Sequence, residues 1–341
     1  MHMADALLSA AVGGTMCAAS AAAIGYSVTR IQKDELSEKK VPIMAVAGAF
    51  VFAAQMINFT IPGTGSSGHI GGGILLAALL GGYPALLTIS AVLLIQCLFF
   101  ADGGLLALGC NIFNMGVIPC LVVYPLLFKP MLRRKTSLAA IGAASVLATV
   151  LGLQFGAFAV VLETQASGIT ELPFSAFALL MQPIHLAIGL VEGLITAAVL
   201  GFVHSMRPEI MQSAIEGSAI GGGVPLRRVL LSFGAAALIV GALLSLFASA
   251  YPDGLEWSME RLAGTTELEL KGGVLEGAAG IQGATAFMPD YDFKSPEEEG
   301  SPLGTSTAGV VGGALTFALA GGTALLISAV KKKNRGAKAT A

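Results

Sequence analysis

His2, His69, His185 and His204 are all the imidazole in this 341-residue chain. Two of them stand where they could hold a transition metal. His2 follows Met1, and aminopeptidases remove an initiator methionine only before small residues, so the bulky His2 keeps Met1 in place. The Met1 amine, the His2 amide and the His2 imidazole then stand in a row. Amine and amide nitrogens close a five-membered ring on a metal, and amide and Nδ1 close a six-membered one. A deprotonated amide is a strong in-plane donor, suited to square-planar Ni(II), Cu(II) or Co(II) and poorly suited to Zn(II) or Mg(II). A Met-His start also arises by chance in many chains. His69 adds weight to it. It ends the run Ile61-Pro62-Gly63-Thr64-Gly65-Ser66-Ser67-Gly68-His69, whose glycines permit positive φ and close approach to a ligand. One imidazole from that loop would supply a fourth nitrogen, although a lone histidine beside an apolar run otherwise sits at an interface.

The other polar residues weigh less. His185, in Met181-Gln182-Pro183-Ile184-His185, is an intramembrane histidine and hence a functional candidate; a packed, hydrogen-bonded helix histidine explains it equally well. His204 reads as interfacial. Asn111 and Asn114 are three apart and share a helix face. They could orient ligands or an inserted loop, or only bond between helices. Asn58 and Asp102 are further candidates for that supporting role. Cys17, Cys97, Cys110 and Cys120 form no CxxC pair and read as small buried hydrophobes, without a disulfide framework. There is no HExxH, Walker A or GxSxG pattern, so no enzyme is expected.

The elements that must position these residues are apolar. The chain is 55% hydrophobic and 12% charged, against roughly 25% charged in soluble domains. A net charge of −2 without a long basic tract argues against nucleic acid as a partner. Spans of about 20 apolar residues fall at 6–28, 41–57, 70–80, 84–100, a segment ending near Phe128, 138–162, 177–203, 229–250 and 308–330. The fold class is an all-α integral membrane protein, a bundle of about nine transmembrane helices. With the N-terminus outside, every basic connection falls inside: 29–40, Lys129 to Lys135, 204–228, and the tail with Lys331, Lys332, Lys333 and Arg335. The loops 58–69 and 163–175 fall outside and hold no Lys or Arg. This is the positive-inside pattern of an N-out/C-in chain, and it puts His2 and His69 on one face. No cationic region precedes the first apolar run, so the N-terminus reads as mature rather than as a cleaved signal.

A composition shift divides the chain into 1–205, a connector at 206–228, and a two-helix module at 229–341 whose loop, 251–302, is acidic. That loop, with Asp253, Glu256, Asp290 and Glu297 to Glu299 among its acids, reads as a solvated face, although it could gather cations by attraction. A small-residue stripe, Ala45, Ala49 and Ala53, permits close packing against another subunit or a neighbouring helix.

Several separated blocks resemble the CbiM/NikM family of substrate-capture components. They are Met1 to Leu8, Gln55-Met56-Ile57-Asn58-Phe59, His69-Ile70-Gly71-Gly72-Gly73, Phe100-Ala101-Asp102-Gly103-Gly104 and Gly109-Cys110-Asn111-Ile112-Phe113-Asn114-Met115-Gly116. Pro252-Asp253-Gly254-Leu255-Glu256 is similar to the PDGLE-type companion domain. The resemblance implies an importer of nickel or cobalt in the cell membrane of a prokaryote, with the ion bound as transported substrate by Met1, His2 and His69. It also implies ATPase subunits and a transmembrane coupling subunit as partners, the latter meeting the Ala45/Ala49/Ala53 stripe. Many relatives begin Met-His-Ile-Pro, whereas this chain begins Met-His-Met-Ala, which leaves the nitrogen donors intact. Rival readings are a secondary transporter for a small organic solute or another cation, a membrane metalloenzyme, and a metal-binding assembly or sensory subunit. The residues do not separate nickel from cobalt.

Overall fold

A computed structural model describes residues 1–33, 39–134, 136–221, 224–270, 272–294 and 301–339. Lys135, Glu297, Glu298 and Glu299 lie outside the described residues, as do the side chains of Lys332, Lys333 and Arg335.

The chain is a helical bundle. Its capture half holds α1 (Ala10–Lys33), α2 (Lys40–Gln55), α3 (Gly73–Leu80), α4 (Gly82–Phe100), α5 (Leu108–Ile112), α6 (Lys129–Arg134), α7 (Leu138–Ser167) and α8 (Phe174–Met206). A short α9 (Pro208–Glu216) leads to α10 (Arg227–Ala242), α11 (Gly254–Ala263), α12 (Gly273–Thr285) and α13 (Pro302–Ala339). Between α5 and α6 the helix continues in π form over Phe113–Phe128, with Pro119 and Pro125 inside it. Proline lacks an amide hydrogen and its ring crowds the carbonyl four residues back; the wider turn relieves both.

Among the described residues, seven helices are long and apolar enough to cross a membrane, and α2 is apolar but shorter. Two expected spans differ. Helix α3 has 8 residues, a rise of about 12 Å, which is far short of a hydrocarbon core about 30 Å thick. It cannot start earlier because Gly72 is left-handed, φ 78°, and its amide donates to Glu192 Oε1 (2.8 Å) instead of continuing a helix. The first span does not begin at Ala6. Residues Ala6 to Leu8 belong to a tail that enters the bundle, where Leu7 and Leu8 are fully buried. Hydropathy alone does not separate a tail packed in protein from a helix in lipid.

Helix α4 runs from one end of the bundle to the other. At its start, Gly82 lines a cavity with Arg30, Lys40 and Lys129. Just past its end, Asp102 lines another with His2, His69 and Asp253. The basic connections and the N-terminus therefore lie at opposite ends. Helices α10 and α13 pack along α2. Ala45, Ala49 and Ala53 are buried, facing Gly321, Gly313 and Gly241. An added Cβ at Gly321 would stand 3.1 Å from Ala45, and one at Gly241 3.4 Å from Ala53. The stripe expected to meet a coupling subunit is thus filled from within the chain.

Candidate metal centre

The tail reaches its position by main-chain hydrogen bonds. Asn111 grips Met3 twice: Met3 N donates to Asn111 Oδ1 (2.8 Å) and Asn111 Nδ2 donates to Met3 O (3.2 Å). Gly104 N also donates to Met3 O (2.9 Å), and Ala107 N donates to Asp5 Oδ1 (2.8 Å). Asn114 supports the same tail through Met3 Sδ (3.9 Å) while donating to Glu163 Oε2 (2.8 Å). Asn58 contributes its main chain, accepting from Ser249 N at 2.7 Å.

The loop that carries His69 is a small antiparallel hairpin, β1 (Phe59–Ile61) with β2 (Ser66–Gly68), in which Ile61 stands opposite Ser66. Gly63 and Gly65 take φ of 78° and 76° to close it. His69 follows β2 directly. Its Nδ1 donates to Ile70 O (3.0 Å); a carbonyl can only accept, so Nε2 carries the lone pair. That Nε2 is 3.4 Å from the Met1 nitrogen. The His2 and His69 rings stack, with centroids 5.1 Å apart and planes 19° apart.

A chain of amides sets the other tautomer. Gly71 O can only accept, so Gln55 turns its Nε2 toward it (3.1 Å). Gln96 Nε2 then donates to Gln55 Oε1 (2.9 Å), which leaves Gln96 Oε1 to accept from His2 Nε2 (3.1 Å). The hydrogen of His2 therefore sits on Nε2. Its Nδ1 lone pair, the atom a six-membered chelate needs, points to the side of Asp102 Oδ2 (3.2 Å). Met1, His2 and His69 are thus brought together. His185 and His204 stand outside this group. Among the described residues, no three His, Cys, Asp or Glu side chains are gathered for a metal; the donor set depends on the main-chain nitrogens of Met1 and His2.

The acidic loop is not only a solvated face. Asp253 Oδ2 pairs with the Met1 ammonium. Its Oδ1 caps α11, accepting from Leu255 N (2.8 Å) and Glu256 N (3.0 Å), while Glu256 Oε2 accepts from Asp253 N (3.1 Å). This capping box fixes the carboxylate. The turn before it is attached to the His69 hairpin: Ser67 N donates to Pro252 O (2.8 Å) and Ser67 Oγ to Tyr251 O (2.6 Å). Tyr291 donates to Asp102 Oδ2. The sequence reading missed Asp253, Gln55, Gln96 and Tyr291. The signal for Asp253 was present in its D-x-x-E pattern; for the glutamines it was an amide inside an apolar run.

Burial, then the nearby Met1 ammonium, lowers His2 to about 3 and His69 to about 4. Both imidazoles are neutral and ready to ligate. Burial pushes Asp253 up, but the Met1 ammonium and His69 together pull it well below the usual carboxylate range. Burial raises Asp102 against its hydrogen bond from Tyr291. Glu256 rises to about 7, first through the Asp253 charge and then through burial.

This is a multi-pass helical membrane protein with a nitrogen-rich pocket at one end of its bundle. Residues 2–210 match CbiM, the cobalt uptake substrate-specific transmembrane region, and residues 227–329 match the PDGLE domain. The fused nickel transport protein NikMN of Rhodobacter capsulatus is 30% identical over 342 aligned residues, covering 93% of this chain and 95% of that one. An Archaeoglobus fulgidus protein carrying the same NikMN name is 33% identical over 320 residues, covering 94% and 96%. A crystal structure of a truncated transition metal transporter superposes with a TM-score of 0.53 at 30% identity, over 60% of this chain and 99% of that chain. The chain belongs to the CbiM family, with a PDGLE domain following in the same polypeptide.

Proposed function

We propose that this chain captures Ni(II) or Co(II) as the membrane substrate component of an ATP-driven energy-coupling-factor importer, in the cell membrane of a prokaryote. One observation carries the reading: the Met1 nitrogen lies 3.4 Å from the unprotonated His69 Nε2, and the His2 ring that follows it in the chain stacks on the His69 ring with centroids 5.1 Å apart. The family match and the nickel-transport names of its relatives support the same conclusion. The ligands are Met1 (amine), His2 (amide and Nδ1) and His69 (Nε2). The chain sits N-out/C-in and crosses nine times, the third passage being made by the segment from His69 to Gly72 together with the short α3. Residues 1–205 form the capture module, 206–228 the connector, and 229–341 the companion module that roofs the site. ATPase subunits and a coupling subunit drive release; the chain performs no catalysis itself.

Capture exchanges protons for metal. Before binding, the local charge is that of the ammonium, +1. Afterwards a divalent ion and a deprotonated amide again sum to +1. The neighbouring carboxylates therefore face the same net charge in both states. Calorimetric titration of the purified chain with nickel or cobalt chloride, beside uptake of radioactive nickel and cobalt in cells with and without the ATPase subunits, tests this reading. Tight binding with ATPase-dependent uptake is expected. Uptake driven by an ion gradient alone would replace the ATP-coupled reading with a secondary transporter.

A further inference from the structure

Beside the capture atoms the bundle holds a second, smaller cavity of about 30 Å³, room for one or two waters. Met1, His69 and Asp253 are part of its lining, and His185, Glu192, Thr149 and Asn114 add further polar groups among glycines and apolar residues. All four of the latter are at least 98% buried. Each carries an atom with no hydrogen-bond partner among the described residues: His185 Nε2, Glu192 Oε2, Thr149 Oγ1 and Asn114 Oδ1. Such atoms are costly inside a membrane bundle, and ionisable ones there mark ion pathways.

A structural role accounts for only half of these groups. Glu192 Oε1 accepts the Gly72 amide at 2.8 Å, which fixes the start of α3, but this leaves Oε2 idle. His185 Nδ1 donates to Met181 O (2.8 Å), a helix carbonyl that can only accept, so Nε2 is left with a bare lone pair. His185 lies close to the companion module: a Cβ on Gly254 would stand 3.2 Å from its Nε2. Glu192 lies at Gly71, where an added Cβ would be 3.5 Å from Oε2. Seven residues on one helix separate the two by about 10 Å, so one ion meets them in turn and not together.

We propose that His185 and then Glu192 form a transfer path for the divalent ion between the capture atoms and the far end of the bundle; this rests on the capture reading above. An imidazole nitrogen, a carboxylate oxygen, a hydroxyl and an amide oxygen, completed by water, suit a partly hydrated nickel or cobalt ion. They hold it more weakly than four converging nitrogens, so the ion passes on. Bonds to the metal are exchanged and no electron moves.

Glu192→Gln keeps the size of the side chain and the acceptor for Gly72, and His185→Leu removes only the imidazole. Nickel chloride titration of the purified full chain and radioactive nickel uptake in cells holding the ATPase and coupling subunits are measured side by side. Both variants are expected to keep wild-type nickel affinity within about 3-fold while uptake falls by roughly 10–100-fold, the scale of a change beside a metal ligand. Glu192→Asp, which keeps a carboxylate, should recover part of the uptake. Wild-type uptake by Glu192→Gln would overturn the path. So would a loss of affinity in step with uptake, which would mark Glu192 as a support for the Gly72 turn alone. Failure of the wild-type chain to bind nickel would overturn the capture reading, and the path with it.

Discussion

The two sides of the capture atoms are built differently. Above them, a vestibule of about 410 Å³ is lined by Asp102, Asp253, Glu256 and Asp290, and the first three of these are held by partners: Tyr291, the Met1 ammonium and the Asp253 amide. Below them, the cavity is about 30 Å³, and His185 Nε2 and Glu192 Oε2 are left without hydrogen-bond partners among the described residues. A large wet space rimmed by carboxylates concentrates cations without binding them tightly. A space that holds only one or two waters admits an ion only after it sheds most of its water. On the capture reading, Met1, His2 and His69 are the partition between these regions. The companion module supplies most of the upper lining and the capture module most of the lower, and Asp253 faces both.

The partition is broken most completely by lengthening the chain. One residue added before Met1 turns its amine into an amide and pushes chain into the space where Asp253 and His69 meet the nitrogen. Nickel binding should fall below detection by calorimetry, and wild-type affinity in an uncleaved extension would discard this donor set. His69→Ala removes one donor and opens the wall. It should weaken nickel by more than about 100-fold, beyond the range of outer-shell changes; an unchanged affinity would exclude His69.

Proton competition acts on the partition itself. Metal binding releases protons, so affinity rises with pH. His2 and His69 are held to about 3 and about 4, so above about pH 5 neither adds a proton to be displaced. The ammonium and the amide each release one while the Met1 nitrogen starts as the partner of Asp253. Affinity should therefore drop about 100-fold for each pH unit lowered toward 5, and more steeply below about 4. A slope of one proton per nickel ion would show that the amide keeps its hydrogen.

How much of this was legible follows from what kind of signal each part leaves. The long apolar helices were readable because lipid demands continuous hydrophobicity, as in α7 and α8. The ends of α1 and α3 were not, because Leu7 and Leu8 are buried by protein, and Ile70 with Gly71 and Gly72 serves a turn. His2 and His69 stood out in a chain with four histidines. Asp253 was hidden in an acidic stretch whose other members are mostly surface residues. Gln55 and Gln96 were hidden because their role lies in the order of hydrogen bonds, which only the folded arrangement fixes. The Ala45 stripe was visible as a packing surface, but its occupant, Gly241 and Gly313 of the companion module, was not.

The amide chain sharpens the comparison from the side. Gln96→Leu frees His2 Nε2 from its acceptor, so the hydrogen can move to Nδ1 and the ring can turn. Nickel affinity should fall by roughly 10–100-fold, the usual scale for a group that orients a ligand. Calorimetry alone does not separate this from loosened packing. The square-planar absorption band of bound nickel does, because it shifts only if the His2 donor is displaced.

The smallest expected effect belongs to Asp253→Asn, which removes one carboxylate charge at the boundary of the two regions. A lost carboxylate beside a cation site would ordinarily weaken binding strongly. Here the carboxylate faces the Met1 ammonium beforehand and, by the proton exchange above, a site of the same net charge afterwards. Equilibrium affinity should therefore change by less than about 10-fold. Loading should slow by roughly 10-fold or more, since attraction of the incoming ion scales with the charge of the vestibule, and this slowing should fade with added salt. Asparagine also keeps the cap of α11 through its side-chain oxygen, so the hairpin contact through Ser67 persists. Stopped-flow nickel binding at low and high salt, beside equilibrium titration, separates the two effects. A large equilibrium loss with unchanged loading would make Asp253 a ligand, and the wall between the two regions would then include the companion module.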